Sequence, residues 1–151
     1  MIEVLQGSGL DVAAIMPVMN DAFDPEFGEA WTAAQCLSTL ALPGGRLLIA
    51  RSDDVVVGFA LSRGVIDEEE LLLIGVLNVA RRRGVGQQLI AKLSQACIQS
   101  ERSVIFLEVR DGNKAHSFYS SMGFNPIGRR ASYYKSTDGS RHDSITMART
   151  L

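Results

Sequence analysis

The stretch from Leu71 to Ser100 constrains the fold of this 151-residue chain more than any other part. Its first residues, Leu71 to Leu77, form an apolar run, and its second half carries apolar residues at the three- and four-residue spacing of one helix face. Between them lies a short turn that contains Gly84 and Gly86. The pattern predicts a buried strand, a glycine turn and an amphipathic helix in succession.

The turn between this strand and this helix has the features of a phosphate-binding site. Glycine has no Cβ, so the backbone can turn sharply and a ligand can approach it closely. The first amides of the helix lack intrahelical acceptors and lie at the positive end of the helix dipole. Three consecutive arginines, Arg81 to Arg83, add positive charge. These features predict a ligand that carries a phosphate or pyrophosphate.

Other kinds of site that contain a glycine turn require different neighbouring residues. A P-loop is excluded because no Gly-Lys-Ser/Thr sequence follows at the required spacing. A nicotinamide dinucleotide site fits in part, since Glu108 lies at about the expected distance for an acid that binds a ribose, but Leu89 stands at the third glycine position. A solvated arginine turn before an ordinary helix is also open on the motif alone.

Motifs in and beyond the turn resemble those of one enzyme family. Residues 81–86, Arg-Arg-Arg-Gly-Val-Gly, match the Q/R-x-x-G-x-G/A signature of the GNAT acyl-CoA N-acetyltransferases. Downstream, Leu107 to Arg110, Asn113 and residues 118–124 (FYSSMGF) are similar to the LEVR…N…LYxxxGF run of the ribosomal-protein-alanine acetyltransferases within that family. The resemblance covers most of the chain from Leu71 onward, and less clearly the part before it.

The resemblance implies transfer of an acetyl group from acetyl-CoA to a primary amine. The implied acceptor is a protein N-terminus, most specifically the N-terminal alanine of a small-subunit ribosomal protein. Other N-termini, lysines and small amines stay open as acceptors. A non-catalytic acyl-CoA-binding module is the alternative from another class, although such a module would need neither of the two catalytic residues that the resemblance implies.

The resemblance also implies roles for individual residues. Glu108 matches the general base and Tyr119 the general acid that protonates the departing thiolate. From the residues alone, Glu108 could instead form a salt bridge with Arg110 or another arginine, and Tyr119 could be a core residue. The residues implied in binding acetyl-CoA are Ile74, Gly75, Val76, Arg82, Arg83, Gly84, Val85, Gly86, Gln87 and Asn113. Among them, a backbone amide near Val76 is expected to polarise the thioester carbonyl.

One departure from the family pattern concerns the helix that carries Tyr119. Asn113 and Tyr119 are six positions apart, where the family often has seven. One residue rotates a helix by about 100°. Both side chains can therefore keep the family's geometry only if the first turn of this helix is rearranged.

The expected fold is α/β (α+β), a single GNAT domain over residues 1–151 with antiparallel N-terminal strands and a parallel pair that splays to bind acetyl-CoA. Strands are predicted at 1–5, 46–50, 55–63, 71–77 and 103–109, with a closing hairpin of 125–135 and 142–149 around Asp138-Gly139. Helices are predicted at 10–23, kinked or divided at Pro17, at 27–42, from Val85, and at 113–122. Residues 67–70, Asp-Glu-Glu-Glu, are predicted to be a solvated turn.

Composition and the remaining residues bear on partners and location. A net charge of −2 and 46% hydrophobic residues indicate an ordinary globule without general affinity for nucleic acid. Cys36 and Cys97 are predicted to be buried free thiols, and no run suits a membrane span, so a cytoplasmic protein is expected. A monomer or weak homodimer is the expected oligomeric state. His116 and His142 lack metal-ligand spacing, and no metal is expected.

Aromatic and basic residues on either side of the predicted site are candidates to line the acceptor groove. They are Phe23, Phe27, Trp31, Arg129, Arg130, Tyr133 and Tyr134. The first three could equally be plain core residues, and the others could serve ordinary strand pairing.

Overall fold

The computed structural model describes residues 1–151 as seven strands and four α-helices. The strands are β1 (Ile2–Gly7), β2 (Gly45–Ser52), β3 (Val55–Val65), β4 (Glu68–Val76), β5 (Val104–Arg110), β6 (Asn125–Lys135) and β7 (Arg141–Thr150). The helices are α1 (Val12–Ala22), α2 (Ala33–Ala41), α3 (Val85–Gln99) and α4 (Ala115–Ser121). No helix is both long enough and apolar enough to cross a bilayer.

All seven strands belong to one sheet in the order β1-β2-β3-β4-β5-β7-β6. Neighbouring strands are antiparallel except β4 and β5, which are parallel and are joined through α3. The predicted mixed sheet with a parallel pair in its middle is therefore confirmed. The predicted closing hairpin is also present, because β6 and β7 are joined by a turn in which Gly139 has a φ of +88°.

The helices cover both faces of the sheet because alternate residues of the inner strands are apolar on both sides. On β2, Leu48 and Ala50 pack in the core that includes α3, whereas Leu47 and Ile49 pack in the core that includes α1 and α2. Cys97 belongs to the first core and Cys36 to the second. Both cysteines are buried free thiols, as predicted.

The two N-terminal helices differ from the sequence prediction. Pro17 lies inside α1 without dividing it. The second helix begins at Ala33 rather than at residue 27, because Thr32 caps it: the Thr32 hydroxyl accepts from the Gln35 amide, and the Gln35 side chain accepts from the Thr32 amide. The residues before Thr32 form a loop, called the α1–α2 loop below (residues 23–32).

The acidic segment at residues 67–70 is not a solvated turn. Strand β4 already begins at Glu68, and the side chain of Glu69 is completely buried. Its carboxylate accepts hydrogen bonds from Arg46 Nε at 3.2 Å, Arg102 Nε at 3.3 Å and Ser62 Oγ at 2.6 Å. The prediction was wrong because the donors lie outside the acidic segment, on β2, on β3 and in the loop between α3 and β5, and compensate the cost of burying its charge.

Candidate active site

The central feature of the site is the divergence of β4 and β5. These two strands pair only where residues 68–70 lie beside residues 104–106. Beyond that point β4 continues to Val76 paired with β3 alone, and β5 continues to Arg110 paired with β7 alone. A wedge-shaped opening therefore separates the carboxyl ends of the two strands, as the predicted splaying requires.

The edge of β4 offers unpaired backbone groups to this opening. The amide of Leu77 donates to the carbonyl of Val57 on β3 at 2.9 Å. Because the backbone groups of successive residues in a strand point alternately to its two sides, those of Gly75 also face β3 and those of Ile74 and Val76 face the opening. The amide of Val76 is thus available to a ligand, in the place where the sequence resemblance expects it.

Two adjoining cavities of about 860 and 420 Å³ occupy the opening. The larger, called the donor cavity, is lined by the carboxyl end of β4, the glycine turn and α4. The smaller, called the acceptor cavity, is lined by the α1–α2 loop, β4, β5 and the end of β6. Of the residues expected to bind acetyl-CoA, these line the donor cavity: Ile74, Gly75, Val76, Arg82, Gly84, Val85, Gly86, Gln87 and Asn113.

The glycine turn presents free amides to the donor cavity. Gly84 caps α3 with a φ of +79°, in the left-handed region that favours glycine. The first backbone bond of the helix is donated by Gln88 to the Gly84 carbonyl, so the amides of residues 85–87 have no acceptor within the chain. Three unpaired N–H groups at the start of a fifteen-residue helix form a site for an anion.

The three arginines of the turn differ in their partners within the chain. Arg81 donates to the carbonyl of Ala22 at 3.1 Å, and Arg83 donates to Ser52 Oγ at 3.1 Å. Arg83 does not line the donor cavity, in contrast to the expectation that it binds the cofactor. Arg82 lines the cavity, is exposed and makes no hydrogen bond or ion pair within the chain. Arg81 also lines the cavity and keeps its charge, because its bond is to a neutral carbonyl, but only Arg82 has all of its donors free.

Gly86 is required by packing. A Cβ at this position would lie 2.9 Å from Cζ of the Phe118 ring on α4. The missing side chain therefore lets α3 and α4 come together at the wall of the donor cavity.

We predict that Gly84→Ala lowers the free energy of unfolding by about 1–2 kcal/mol, because alanine in the left-handed region is strained. The strain acts at the turn itself, so coenzyme A affinity should fall as well. Urea denaturation and calorimetric titration with coenzyme A would measure the two effects. Gly128→Ala is the matched control, because a Cβ there meets nothing nearer than 3.9 Å and the backbone has no positive φ; equal stability losses in both variants would contradict the prediction.

Glu108 is half-buried on β5 and lines the acceptor cavity. The hydroxyls of Ser144 and Thr146 on β7 donate to its carboxylate, and the Thr146 bond measures 2.9 Å. Arg130 Nη2 lies 3.7 Å from the carboxylate, whereas Arg110 pairs with Glu29. The two hydroxyls were not found from the sequence. They face Glu108 because β5 and β7 pair in register with Glu108 opposite Thr146.

Tyr119 lines both cavities from α4. Its ring contacts Phe118 and Phe124, whereas its hydroxyl makes no hydrogen bond within the chain. Burial raises the pKa of Tyr119 above its usual value, and the nearby Tyr134 and Glu29 raise it further. The phenol therefore keeps its proton throughout the neutral range and can donate it to a group in the cavity.

The shortened spacing between Asn113 and Tyr119 is accommodated at the start of α4. This helix begins at Ala115 rather than at residue 113, and Asn113 Oδ1 accepts from the Ala115 amide at 2.9 Å. Asn113 therefore precedes the helix, and the direction of its side chain is not set by the helical angle per residue. Both Asn113 and Tyr119 line the donor cavity. The rearrangement of the first turn that the shorter spacing requires is therefore a later start of the helix.

Two charged residues that were not predicted as site residues meet at the boundary of the cavities, Glu29 from the α1–α2 loop and Arg110 from the end of β5. Glu29 Oε2 lies 3.6 Å from Arg110 Nε, and the Arg110 guanidinium lies 3.5 Å from the centre of the Phe27 ring. Glu29, Arg110 and Phe27 line both cavities. Arg110 belongs to the LEVR motif, but its contact with the loop depends on tertiary structure.

Aromatic side chains complete the lining of the acceptor cavity. Trp31 lines it from the α1–α2 loop, and Tyr133 and Tyr134 line it from β6. The loop is tied to the β6–β7 turn, because the Glu26 carbonyl accepts from both the amide and the hydroxyl of Thr137 at 3.0 Å. The aromatic residues that were candidates for this groove are therefore placed along it.

Comparison with known proteins agrees with this geometry. The family model described as the acetyltransferase (GNAT) domain matches residues 17–142. This chain therefore belongs to the GNAT family of acetyltransferases. Among solved structures, the crystal structure of the ribosomal-protein-S18-alanine N-acetyltransferase from Escherichia coli superimposes with a TM-score of 0.87 at 27% identity, covering 100% of this chain and 94% of that one.

Within the family, the chain is similar to alanine N-acetyltransferases and N-alpha-acetyltransferases. It is 33% identical over 93 residues to the ribosomal protein bS18-alanine N-acetyltransferase of Haemophilus influenzae, covering 62% of this chain and 64% of that protein. It is 33% identical over 126 residues to N-alpha-acetyltransferase RimI of Mycobacterium tuberculosis, covering 80% of this chain and 76% of that one. The aligned part thus spans less than two thirds of the first of these relatives.

Proposed function

We propose that the chain is an acetyl-CoA-dependent N-acetyltransferase that acts on the N-terminal α-amine of a protein, with the alanine of a small-subunit ribosomal protein as the first candidate. The observation that carries the proposal is the opening between β4 and β5. The glycine turn, the free edge of β4 and Tyr119 meet there, and Glu108 lies on its acceptor side.

The donor cavity suits coenzyme A. The unpaired amides of residues 85–87 and the free guanidinium of Arg82 match the charge of a pyrophosphate. The free backbone groups of Ile74 and Val76 match a pantetheine arm, which carries amides that need hydrogen-bond partners. When bound, acetyl-CoA would supply an acetyl group activated as a thioester. The amide of Val76 would then stabilise negative charge developing on the thioester oxygen.

The acceptor side favours an α-amine over a lysine. A peptide α-amine with a pKa near 8 is about one tenth neutral at pH 7, whereas a lysine amine near 10.4 is neutral only to a few parts in ten thousand. Glu108 is held in place by Ser144 and Thr146 and could accept a proton directly or through a water molecule. Tyr119 would return a proton to the departing thiolate.

The choice of a ribosomal-protein acceptor is supported by the similarity to the ribosomal protein bS18-alanine N-acetyltransferases of Haemophilus influenzae and Escherichia coli. Tyr133 and Tyr134 offer flat aromatic faces along the acceptor cavity, which suit an extended peptide.

A thiol-release assay tests the proposal. We expect acetyl-CoA to be consumed with a peptide that begins with alanine, at least about tenfold faster than with an N-terminally blocked peptide that contains an internal lysine. Mass spectrometry should locate the added acetyl group on the α-nitrogen. Binding of coenzyme A without turnover on any amine would instead indicate a non-catalytic module. A melting temperature raised by NAD but not by coenzyme A would indicate a dinucleotide enzyme.

A further inference from the structure

Glu29 is the carboxylate of the α1–α2 loop that lies where the donor and acceptor cavities meet. Glu29 lines both cavities, as does Tyr119, whereas Glu108 lines the acceptor cavity only. An amine must reach this junction to attack an acetyl group in the donor cavity. Glu29 therefore lies near the point of transfer, although it belongs to none of the family motifs.

The two carboxylates differ in their hydrogen bonding. Both Glu108 oxygens accept bonds from hydroxyls. Glu29 accepts no hydrogen bond, although its side chain is only 18% exposed, and its one ionic contact is Arg110 Nε at 3.6 Å. The hydrogen-bonding capacity of this carboxylate is therefore not used within the chain. It is free to accept bonds from a ligand, and an ammonium group is a suitable donor.

The surroundings of Glu29 contain several charged or titratable groups. Arg110 is itself buried, lies against the Phe27 ring and has no hydrogen-bond partner at Nε. Burial raises the pKa of Glu29 above its usual value, and the charge of Arg110 opposes this rise. The titratable or charged groups that face Glu29 from the packed elements are Arg110 on β5, His142 on β7, Asp24 on the loop, Tyr119 on α4 and Tyr134 on β6.

The proposed reaction needs two protons to leave the acceptor nitrogen. An ammonium group must lose one before it can attack, and the nitrogen must lose another to become a neutral amide. We propose that Glu29 is a further catalytic base, which binds the incoming ammonium group and takes its first proton. This inference rests on the proposed N-acetyltransferase function and assigns the second proton to Glu108.

The step balances in atoms and charge. The ammonium proton passes to the Glu29 carboxylate and leaves a neutral amine. The amine nitrogen bonds to the acetyl carbon, the carbon–sulfur bond breaks, and the Tyr119 proton goes to the thiolate. Glu108 takes the second nitrogen proton, and that proton restores Tyr119. Glu29 then loses its proton to solvent, so one proton is released for each ammonium group acetylated.

The pH dependence of Glu29→Gln tests this role. With the alanine peptide we expect kcat/KM to fall about tenfold or more at pH 7, and to come within about threefold of wild type at pH 9, where most of the α-amine is already neutral. Glu29→Asp, which keeps the carboxylate, should retain more activity than Glu29→Gln at pH 7. Glu26→Gln is the matched control, because it removes an exposed carboxylate of the same loop.

The other outcomes separate this inference from the proposed function. A loss that is equal at pH 7 and pH 9 would indicate a structural role and overturn the inference, as would full activity at pH 7. Melting temperature and coenzyme A affinity are measured for each variant, and unchanged values with the expected pH profile support the inference. An inactive wild-type protein would overturn the proposed function and this inference together, whereas an active wild type with a pH-independent loss overturns the inference alone.

Discussion

Replacement of Tyr119 by phenylalanine should lower kcat about 100-fold or more while leaving coenzyme A affinity unchanged. The substitution removes only the hydroxyl, which has no partner within the chain, and keeps the ring that packs between Phe118 and Phe124. The departing thiolate would then lack its proton donor. Single-turnover rates, together with titration of coenzyme A, would measure the effect.

The pH profile provides a second check on Tyr119. Because burial raises the pKa of this phenol above its usual value, wild-type activity should not decline through pH 9 from loss of its proton. Ser120→Ala is the control, since it removes an exposed hydroxyl from the same helix. A Tyr119→Phe enzyme that turns over at the wild-type rate would remove Tyr119 from the mechanism.

The Glu69→Ala substitution should lower the free energy of unfolding by about 3–5 kcal/mol, the usual cost of breaking a buried ion pair. The carboxylate is completely buried and accepts bonds from Arg46, Arg102 and Ser62. Its loss leaves two arginines, only 14% and 17% exposed, without their counter-charge. Urea denaturation monitored by circular dichroism would measure the change.

The neighbouring Glu68→Ala is the control for Glu69. Glu68 is exposed and makes no ion pair, so its loss should change the free energy of unfolding by no more than about 0.5 kcal/mol. A loss below about 1 kcal/mol in Glu69→Ala would show that the arginines find other partners or remain solvated.

Features that are local in the chain could be predicted from the sequence. The apolar run at residues 71–77, the turn at Gly84 and the periodic helix after it depend on neighbouring residues only, and the structure contains all three. The hairpin at Asp138-Gly139 is local in the same sense. The family motifs likewise placed Tyr119 beside the opening, because Gly123 and Phe124 set the end of its helix.

Features that depend on distant pairs could not be read from the chain. The acidic run at residues 67–70 looked solvated because no basic residue is adjacent to Glu69 in the chain; its partners come from β2, β3 and the loop between α3 and β5. The arginines of the turn looked alike, yet Arg81 and Arg83 are bound by Ala22 and Ser52. Their partners are brought close only by folding.

The sequence by itself determined the class of fold, the glycine turn and the residue types that such chemistry needs. Tertiary structure alone decided which of those residues share a cavity: Glu108 is held by β7, Arg82 is the free arginine of the turn, and Glu29 meets Arg110 across the junction. The physical reason is that periodicity and turn chemistry act between neighbours in the chain, whereas hydrogen bonds, ion pairs and burial act between neighbours in space.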